Sequence, residues 1–255
     1  MKNRFDLTGK VALITGGGRG LGRAMARGFA ENGAAVMLSA RSENELRLAA
    51  EELTAELPAR IEWMVTDMTK RKDVDRLAAE TLRQFGRVDI LVNNAGGNVP
   101  QSIEKVIDED WDRLVELNLT SCMRLTRALV PQMQKRKWGR IIHISSVLGL
   151  GGKDRRNVYC ATKSALIGMA RASAIDLGPD NITVNCIAPG PFLTDLPEKV
   201  LTDVEKQEYV ARTVLGRWAD PEEIIGPALL LASEAGSYIT GSTLLVDGGV
   251  LGNVL

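Results

Sequence analysis

Seven short runs rich in Val, Ile, Leu and Ala, each separated from the next by a longer stretch with helical spacing, restrict what this 255-residue chain can fold into. The runs are "VALIT" (11–15), "AVMLS" (35–39), "IEWMVT" (61–66), "VDILVNN" (88–94), "RIIHIS" (140–145), "ITVNCIA" (182–188) and "STLLVDG" (242–248). Near-continuous apolar runs suit strands of a parallel sheet covered on both faces, whereas a half-exposed strand alternates. The segments between them carry helix stop signals. One helix runs from about Leu21 to Asn32 before Gly33, a second ends near Pro58, and a charged amphipathic third ends at Phe85 before Gly86. Right-handed strand–helix–strand crossovers then predict an α/β fold, a doubly wound sheet of about seven parallel strands with helices on both faces. With no Pro/Gly/Ser linker and no repeat, residues 1–255 read as a single domain. Segment 191–216 breaks the alternation late in the chain and is expected to cover a site.

Charge and composition remove several function classes. Lys and Arg number 32 and Asp and Glu also 32, so the basic excess of a nucleic-acid binder is missing. There is no signal-peptide pattern and no apolar span of membrane length, so the chain reads as soluble and cytoplasmic, with no membrane partner. Cys122, Cys160 and Cys186 are odd in number and widely spaced, and His143 is the sole histidine. A disulfide framework, a metal site and a histidine triad are all disfavoured. His143 itself reads as a packed or hydrogen-bonded core residue.

"TGGGRGLG" (15–22) follows the first strand and opens the first helix. In that context a glycine loop binds a dinucleotide pyrophosphate against the N–H groups of the helix start. Gly16 permits the tight turn, Gly20 lets the backbone approach the phosphates, and Gly22 allows close helix–strand packing. The alternative is a glycine turn with no ligand. At the end of the second strand a carboxylate would read a ribose 2′-hydroxyl, and a cation would accommodate a 2′-phosphate. Here "SARS" places Ala40 in the acid position with Arg41 beside it, and Arg19 lies inside the glycine loop. NADP(H) is therefore favoured over NAD(H), unless both arginines are merely solvated.

These motifs, with "NNAG" (93–96), "ELNLTS" around Asn118 and "IAPGPFLTD" (187–195), make the chain resemble the short-chain dehydrogenase/reductase family along nearly its whole length. The resemblance implies a Rossmann-like fold and hydride exchange between a nicotinamide and a carbonyl or secondary alcohol. It identifies Asn118, Ser146, Tyr159 and Lys163 with that family's catalytic tetrad. It also implies a cofactor wall built from Gly16, Arg19, Gly20, Leu21 and Gly22, from Arg41, Asp67 and Met68, from Asn94, Ala95 and Gly96, and from Pro189, Gly190 and Thr194. Tyr159 and Lys163 would touch the cofactor too. By similarity Asp67 approaches the adenine, Asn93 supports the ribose or the central sheet, and Thr194 holds the carboxamide.

Reducing a ketone builds an alkoxide, so the site must supply a proton and hold developing charge. Lys163 stands one turn beyond Tyr159, where its ammonium is expected to favour the phenolate. A tyrosine titrates near ~10, and lowering it by ~3 units takes about 4 kcal/mol. Ser146 ends the fifth strand and is expected to donate to the substrate oxygen. The resemblance assigns Asn118 a water leading to Lys163. Cys160, one residue from the base, reads as structural.

Within the family the chain is similar to gluconate 5-dehydrogenases and to 3-oxoacyl-acyl carrier protein reductases. The latter carry basic residues at the cleft mouth. Arg136 matches one such position, while the other falls on Asp180. Lys153, Arg155 and Arg156 lie between Ser146 and Tyr159, where a cation can bind a substrate carboxylate, bidentately if it is an arginine. Arg155 and Arg156 are thus candidate substrate residues with Ser146, favouring a sugar acid such as gluconate or 5-ketogluconate. A 3-oxoacyl thioester is the alternative, and a non-catalytic NADP(H)-binding sensor is the reading from another class. The family implies a homotetramer.

Overall fold

The computed structural model describes residues 3–194 and 202–253. The strands form one parallel sheet, β1 (Val11–Thr15), β2 (Ala35–Ala40), β3 (Ile61–Val65), β4 (Ile90–Asn93), β5 (Gly139–Ile144), β6 (Ile182–Pro189) and β7 (Thr243–Val246). Their order is β3-β2-β1-β4-β5-β6-β7, so the chain winds outward from β1 and returns to start again at β4. Each strand lies within two residues of its sequence expectation at either end. The third helix stops where Gly86 takes the left-handed conformation, φ 74°. The fold is the expected Rossmann-like single-domain sheet.

Alternate residues of the central strands feed two cores. Ala12, Ile14, Val36, Leu38, Val92 and Ile142 pack under α1 (Gly20–Glu31), α2 (Glu43–Glu56) and α8 (Ile225–Ala232). Leu13, Met37, Leu91, Ile141 and Val184 pack under α3 (Arg71–Phe85), α5 (Ser121–Arg136) and α6 (Asn157–Leu177). Burying both faces removes enough apolar surface that the strands need no polar side, which is why the runs read as continuous. Between α4 (Asp108–Val115) and α5 the backbone passes through a π-helical turn, Glu116–Thr120. The expected covering segment contains α7 (Asp203–Arg212), while positions 195–201 lie outside the described residues. No helix among the described residues is long and apolar enough to cross a membrane.

One polar row crosses the second core. Asn93, His143 and Cys186 are register partners on β4, β5 and β6. Asn93 Nδ2 lies 3.0 Å from His143 Nδ1 and donates to Thr126 Oγ1 at 3.3 Å. Burial, with the Lys163 charge also acting, lowers the His143 pKa from 6.5 to about 4. The native state therefore holds a neutral imidazole, whose stabilisation is complete above pH 6.5 and lost as pH falls toward 4. A gap of that size is worth roughly 3 kcal/mol. Urea unfolding at steps from pH 7 to 4 should show wild type losing roughly that much more stability than His143→Gln. Parallel curves for the two proteins would show the imidazole to be indifferent to folding.

Candidate active site

The carboxyl end of β1 is flanked by β2 and β4, the switch point where open α/β sheets bind ligands. The backbone there is held by "NNAG". Asn94 N and Ala95 N both donate to Thr15 Oγ1 at 3.0 Å, and Asn94 Nδ2 donates to Thr15 O at 2.8 Å and Gly16 O at 3.2 Å. Gly16 takes φ 67° and Gly20 φ 52°. A Cβ on Gly22 would stand 2.1 Å from the Gly16 carbonyl oxygen. Gly22 is therefore required for contact with the loop's own turn rather than for the helix–strand contact expected from sequence.

A cleft of about 670 Å³ opens above this turn. Gly16, Arg19, Gly20 and Leu21 line one part, Ala40, Arg41, Ser42, Thr66 and Met68 one end, and Asn94, Ala95, Gly96, Pro189, Gly190 and Thr194 the wall toward Ser146, Tyr159 and Lys163. The α1 start has no side-chain cap and no acid in its first turn, and Glu45, which also lines the cleft, is paired with Arg19. That chemistry fits a pyrophosphate. Arg41 is exposed at the end of β2 without a carboxylate at Ala40, while Arg19 Nη1 pairs with Glu45 Oε1 at 2.9 Å. The two arginines thus differ: a 2′-phosphate would have to share Arg19 with Glu45.

At the other end, β5 and α6 bring three of the tetrad together. Ser146 is 8% exposed and its Oγ accepts from Leu148 N at 3.1 Å. Lys163 is buried, donates from Nζ to Ile144 O at 2.7 Å, and lies 5.6 Å from the Tyr159 ring centroid. Asn118, in the π turn, is fully buried. Its Oδ1 accepts from Gly97 N at 2.9 Å, and its Nδ2 donates to Gly97 O at 3.0 Å and to Thr162 Oγ1 at 3.1 Å. Asn118 and Lys163 converge on Gly96, where a Cβ would stand 3.2 Å from Oδ1 and 3.4 Å from Nζ.

The expected depression of the Tyr159 pKa is not what the chain's own groups produce. Burial pushes the phenol up to about 12, with the Ser146 hydrogen bond acting in the opposite direction. Burial likewise lowers the Lys163 pKa. The physical reason is desolvation: in a partly dehydrated cleft both charged forms are disfavoured, and the Ser146 hydrogen bond offsets only part of the cost to the phenolate. By themselves these groups hold a protonated phenol, the form that donates to a nascent alkoxide.

Other expected residues stand elsewhere. Asp67 does not line the cleft; its Oδ1 accepts from Thr69 N and Oγ1 at 3.0 and 2.8 Å, closing a turn beside an adjoining hollow with Arg41 and Lys70. Asn93 supports the sheet rather than the cleft. Arg136 sits at the far end of the sheet, where its Nη2 donates to Val88 O at 2.9 Å and lies 3.5 Å from Asp89 Oδ1. Asp180 is engaged by Lys137 and Gln134. Arg155 and Arg156 flank the α6 start outside the cleft lining. Sequence reasoning missed Ser145, whose Oγ donates to Lys163 O at 2.8 Å, and Thr162, which holds Asn118. The first serine of "ISS" and the threonine inside "YCATK" were the available signals.

Comparison with known proteins agrees with this geometry. The family model described as enoyl-(acyl carrier protein) reductase matches residues 16–251. The 3-oxoacyl-[acyl-carrier-protein] reductase of Chlamydia muridarum is 38% identical over 96% of this chain and 98% of its own. A gluconate 5-dehydrogenase from Burkholderia cenocepacia, solved with NADP and tartrate, superposes with a TM-score of 0.93 at 34% identity, covering 98% of each chain. A 7α-hydroxysteroid dehydrogenase solved with NADH superposes with a TM-score of 0.94 at 35% identity, also over 98% of each chain. Relatives with this fold thus include a 3-oxoacyl-[acyl-carrier-protein] reductase, a gluconate 5-dehydrogenase and a hydroxysteroid dehydrogenase. With the glycine loop, the Asn94 staple and the Ser146–Tyr159–Lys163 grouping in one cleft, the chain belongs to the short-chain dehydrogenase/reductase family of oxidoreductases.

Proposed function

We propose that this protein transfers a hydride reversibly between NADP(H) and a secondary alcohol or ketone that bears a carboxylate, a sugar acid of the gluconate/5-ketogluconate kind. The observation that carries the reaction is the convergence of Tyr159, Ser146 and Lys163 in the cleft whose other end fits a dinucleotide. NADPH, when bound, supplies the hydride. Ser146 donates a hydrogen bond that orients the carbonyl, and Tyr159, protonated at neutral pH, gives its proton to the oxygen as charge develops. Lys163 and Asn118 hold the positive charge and the polar path behind the phenol. An intact tetrad argues against a non-catalytic sensor.

Arg41 is the residue to which we assign the 2′-phosphate. Arg41→Ala should cut the NADPH-over-NADH ratio of kcat/KM by about 10- to 100-fold, the size of a lost charged hydrogen bond. An unchanged ratio would remove Arg41 from that role.

The sugar-acid reading rests on the cations between Ser146 and Tyr159 and on the gluconate 5-dehydrogenase likeness. The acyl carrier protein reading is favoured by the reductase relative, but Arg136 is occupied at the far end of the sheet and Asp180 stands in the second basic position. A screen with NADPH and NADP⁺ against 5-ketogluconate, gluconate and acetoacetyl thioester separates the two. Turnover confined to the thioester would sink the sugar-acid reading. Assembly as a homotetramer belongs to the same proposal, and sedimentation equilibrium measures it.

A further inference from the structure

The three cations ahead of Tyr159 are not equivalent. Arg155 is exposed in the left-handed conformation, φ 58°, with its carbonyl accepting from Gln101 N at 2.9 Å. Lys153 is taken up by α7: its Nζ lies 3.4 Å from Glu205 Oε1 and 4.6 Å from the Tyr209 ring centroid. Arg156 is different. It caps the N-terminus of α6, one turn ahead of Tyr159, and is only 4% exposed. Its Nη1 makes one long hydrogen bond, 3.4 Å, to Arg155 O. Its Nη2 is buried with no hydrogen-bond partner among the described residues, and meets Glu205 Oε1 only at 3.8 Å. A buried guanidinium with idle donors is costly unless something pairs with it.

The position of that idle donor matters. As the N-cap of α6, Arg156 stands three residues before Tyr159, and its Nη2 faces Glu205 of α7, so it lies between the helix that carries Tyr159 and α7. Gln101, bridged to Arg156 along the backbone, donates from Nε2 to Asp110 Oδ2 at 2.9 Å and keeps its Oε1 buried with no hydrogen-bond partner among the described residues. A planar guanidinium fork with an unfilled donor matches a carboxylate. Glu205 offers a carboxylate at a distance too long to satisfy the fork.

We propose that Arg156 is the specificity-determining residue of this enzyme. It binds the carboxylate of a polyhydroxy acid, and Glu205 acts as a resident competitor that weakens the hold on anions. Arg155 and Lys153 take no part. This rests on the sugar-acid reading above and deepens it.

The test compares 5-ketogluconate with fructose, a neutral ketone of similar length, using NADPH. Arg156→Gln should lower kcat/KM for 5-ketogluconate by about 10- to 100-fold and change that for fructose by less than about threefold. Arg156→Lys, which keeps charge without the fork, should fall between. Glu205→Gln retains the α7 capping box with Thr202 and should raise kcat/KM for the acid severalfold, leaving fructose unchanged. Calorimetric titration of tartrate into the NADP⁺-saturated protein supplies a readout apart from turnover, with weaker binding for Arg156→Gln and tighter for Glu205→Gln. Should Arg156→Gln fail to fold, Glu205→Gln carries the comparison. Wild type inactive on acids but active on the thioester overturns both the reading and this assignment. Wild type active on acids, with Arg156→Gln losing both substrates equally, overturns the assignment alone.

Discussion

A Tyr159→Phe enzyme should turn over about 10³-fold more slowly in both directions while its affinity for NADPH changes little. The substitution deletes one hydroxyl and keeps the ring beside Lys163. Ser146 loses its hydrogen bond to the phenol but keeps the one from Leu148 N, and Lys163 and Asn118 keep theirs to Ile144, Gly97 and Thr162. What is lost is the positioned proton donor, and such groups contribute about 10²- to 10⁴-fold. Because the chain's own groups raise this phenol to about 12, it stays protonated through the neutral range. Reduction should therefore be nearly flat between pH 6 and 8, roughly the range far below that value. Oxidation needs the phenolate and should climb with pH over the same interval. Steady-state rates in both directions read this out. A Phe variant keeping more than about a tenth of wild-type turnover is incompatible with Tyr159 as the proton donor.

Gly22→Ala should be nearly as damaging, by a different route. The new Cβ would lie 2.1 Å from Gly16 O and 2.6 Å from Asn94 Nδ2. Neither neighbour can yield alone. The Gly16 carbonyl belongs to the turn that shapes the loop, and the Asn94 amide is the staple that holds that turn to β1. Relieving the overlap must open the loop, so a stability loss of about 1–3 kcal/mol is expected. NADPH affinity should fall by about 100-fold, since the phosphate cradle and the turn are the same atoms. Thermal melts and nucleotide titrations measure the two effects separately. Gly168, where an added Cβ meets nothing within 4 Å, supplies the tolerant control. Wild-type affinity in Gly22→Ala would mean that the loop can reshape without cost.

How much of this was legible beforehand depends on whether the signal is carried along the chain or across it. Strands were readable because burial on both faces leaves unbroken apolar runs, and Gly86 was readable because left-handed backbone favours one residue type. The tetrad and the glycine loop were readable as motifs with fixed spacing. The Tyr159 pKa was not, since it turns on how deeply α6 sinks the phenol, and that depth has no local signature. Arg136 was misplaced for a related reason. Its partners Val88 and Asp89 lie over 40 residues away in sequence and meet it only because α5 ends where β4 begins. The division of labour among Lys153, Arg155 and Arg156 was equally hidden, because Glu205 arrives from α7.

The π turn at Glu116–Thr120 ties two properties to a single residue count. A surplus residue in a helix rotates everything after it by about 100°. Here that rotation sets Asn118 against Gly97 and Thr162 and, further along, sets Leu125, Leu129 and Met133 against the sheet. Removing one residue between α4 and Cys122 would swing the asparagine out of the site and the α5 stripe out of the core together. Chain length at this point is thus under the same constraint as chemistry: composition can drift along α5's outer face, but the segment cannot be shortened or lengthened by one without unmaking both.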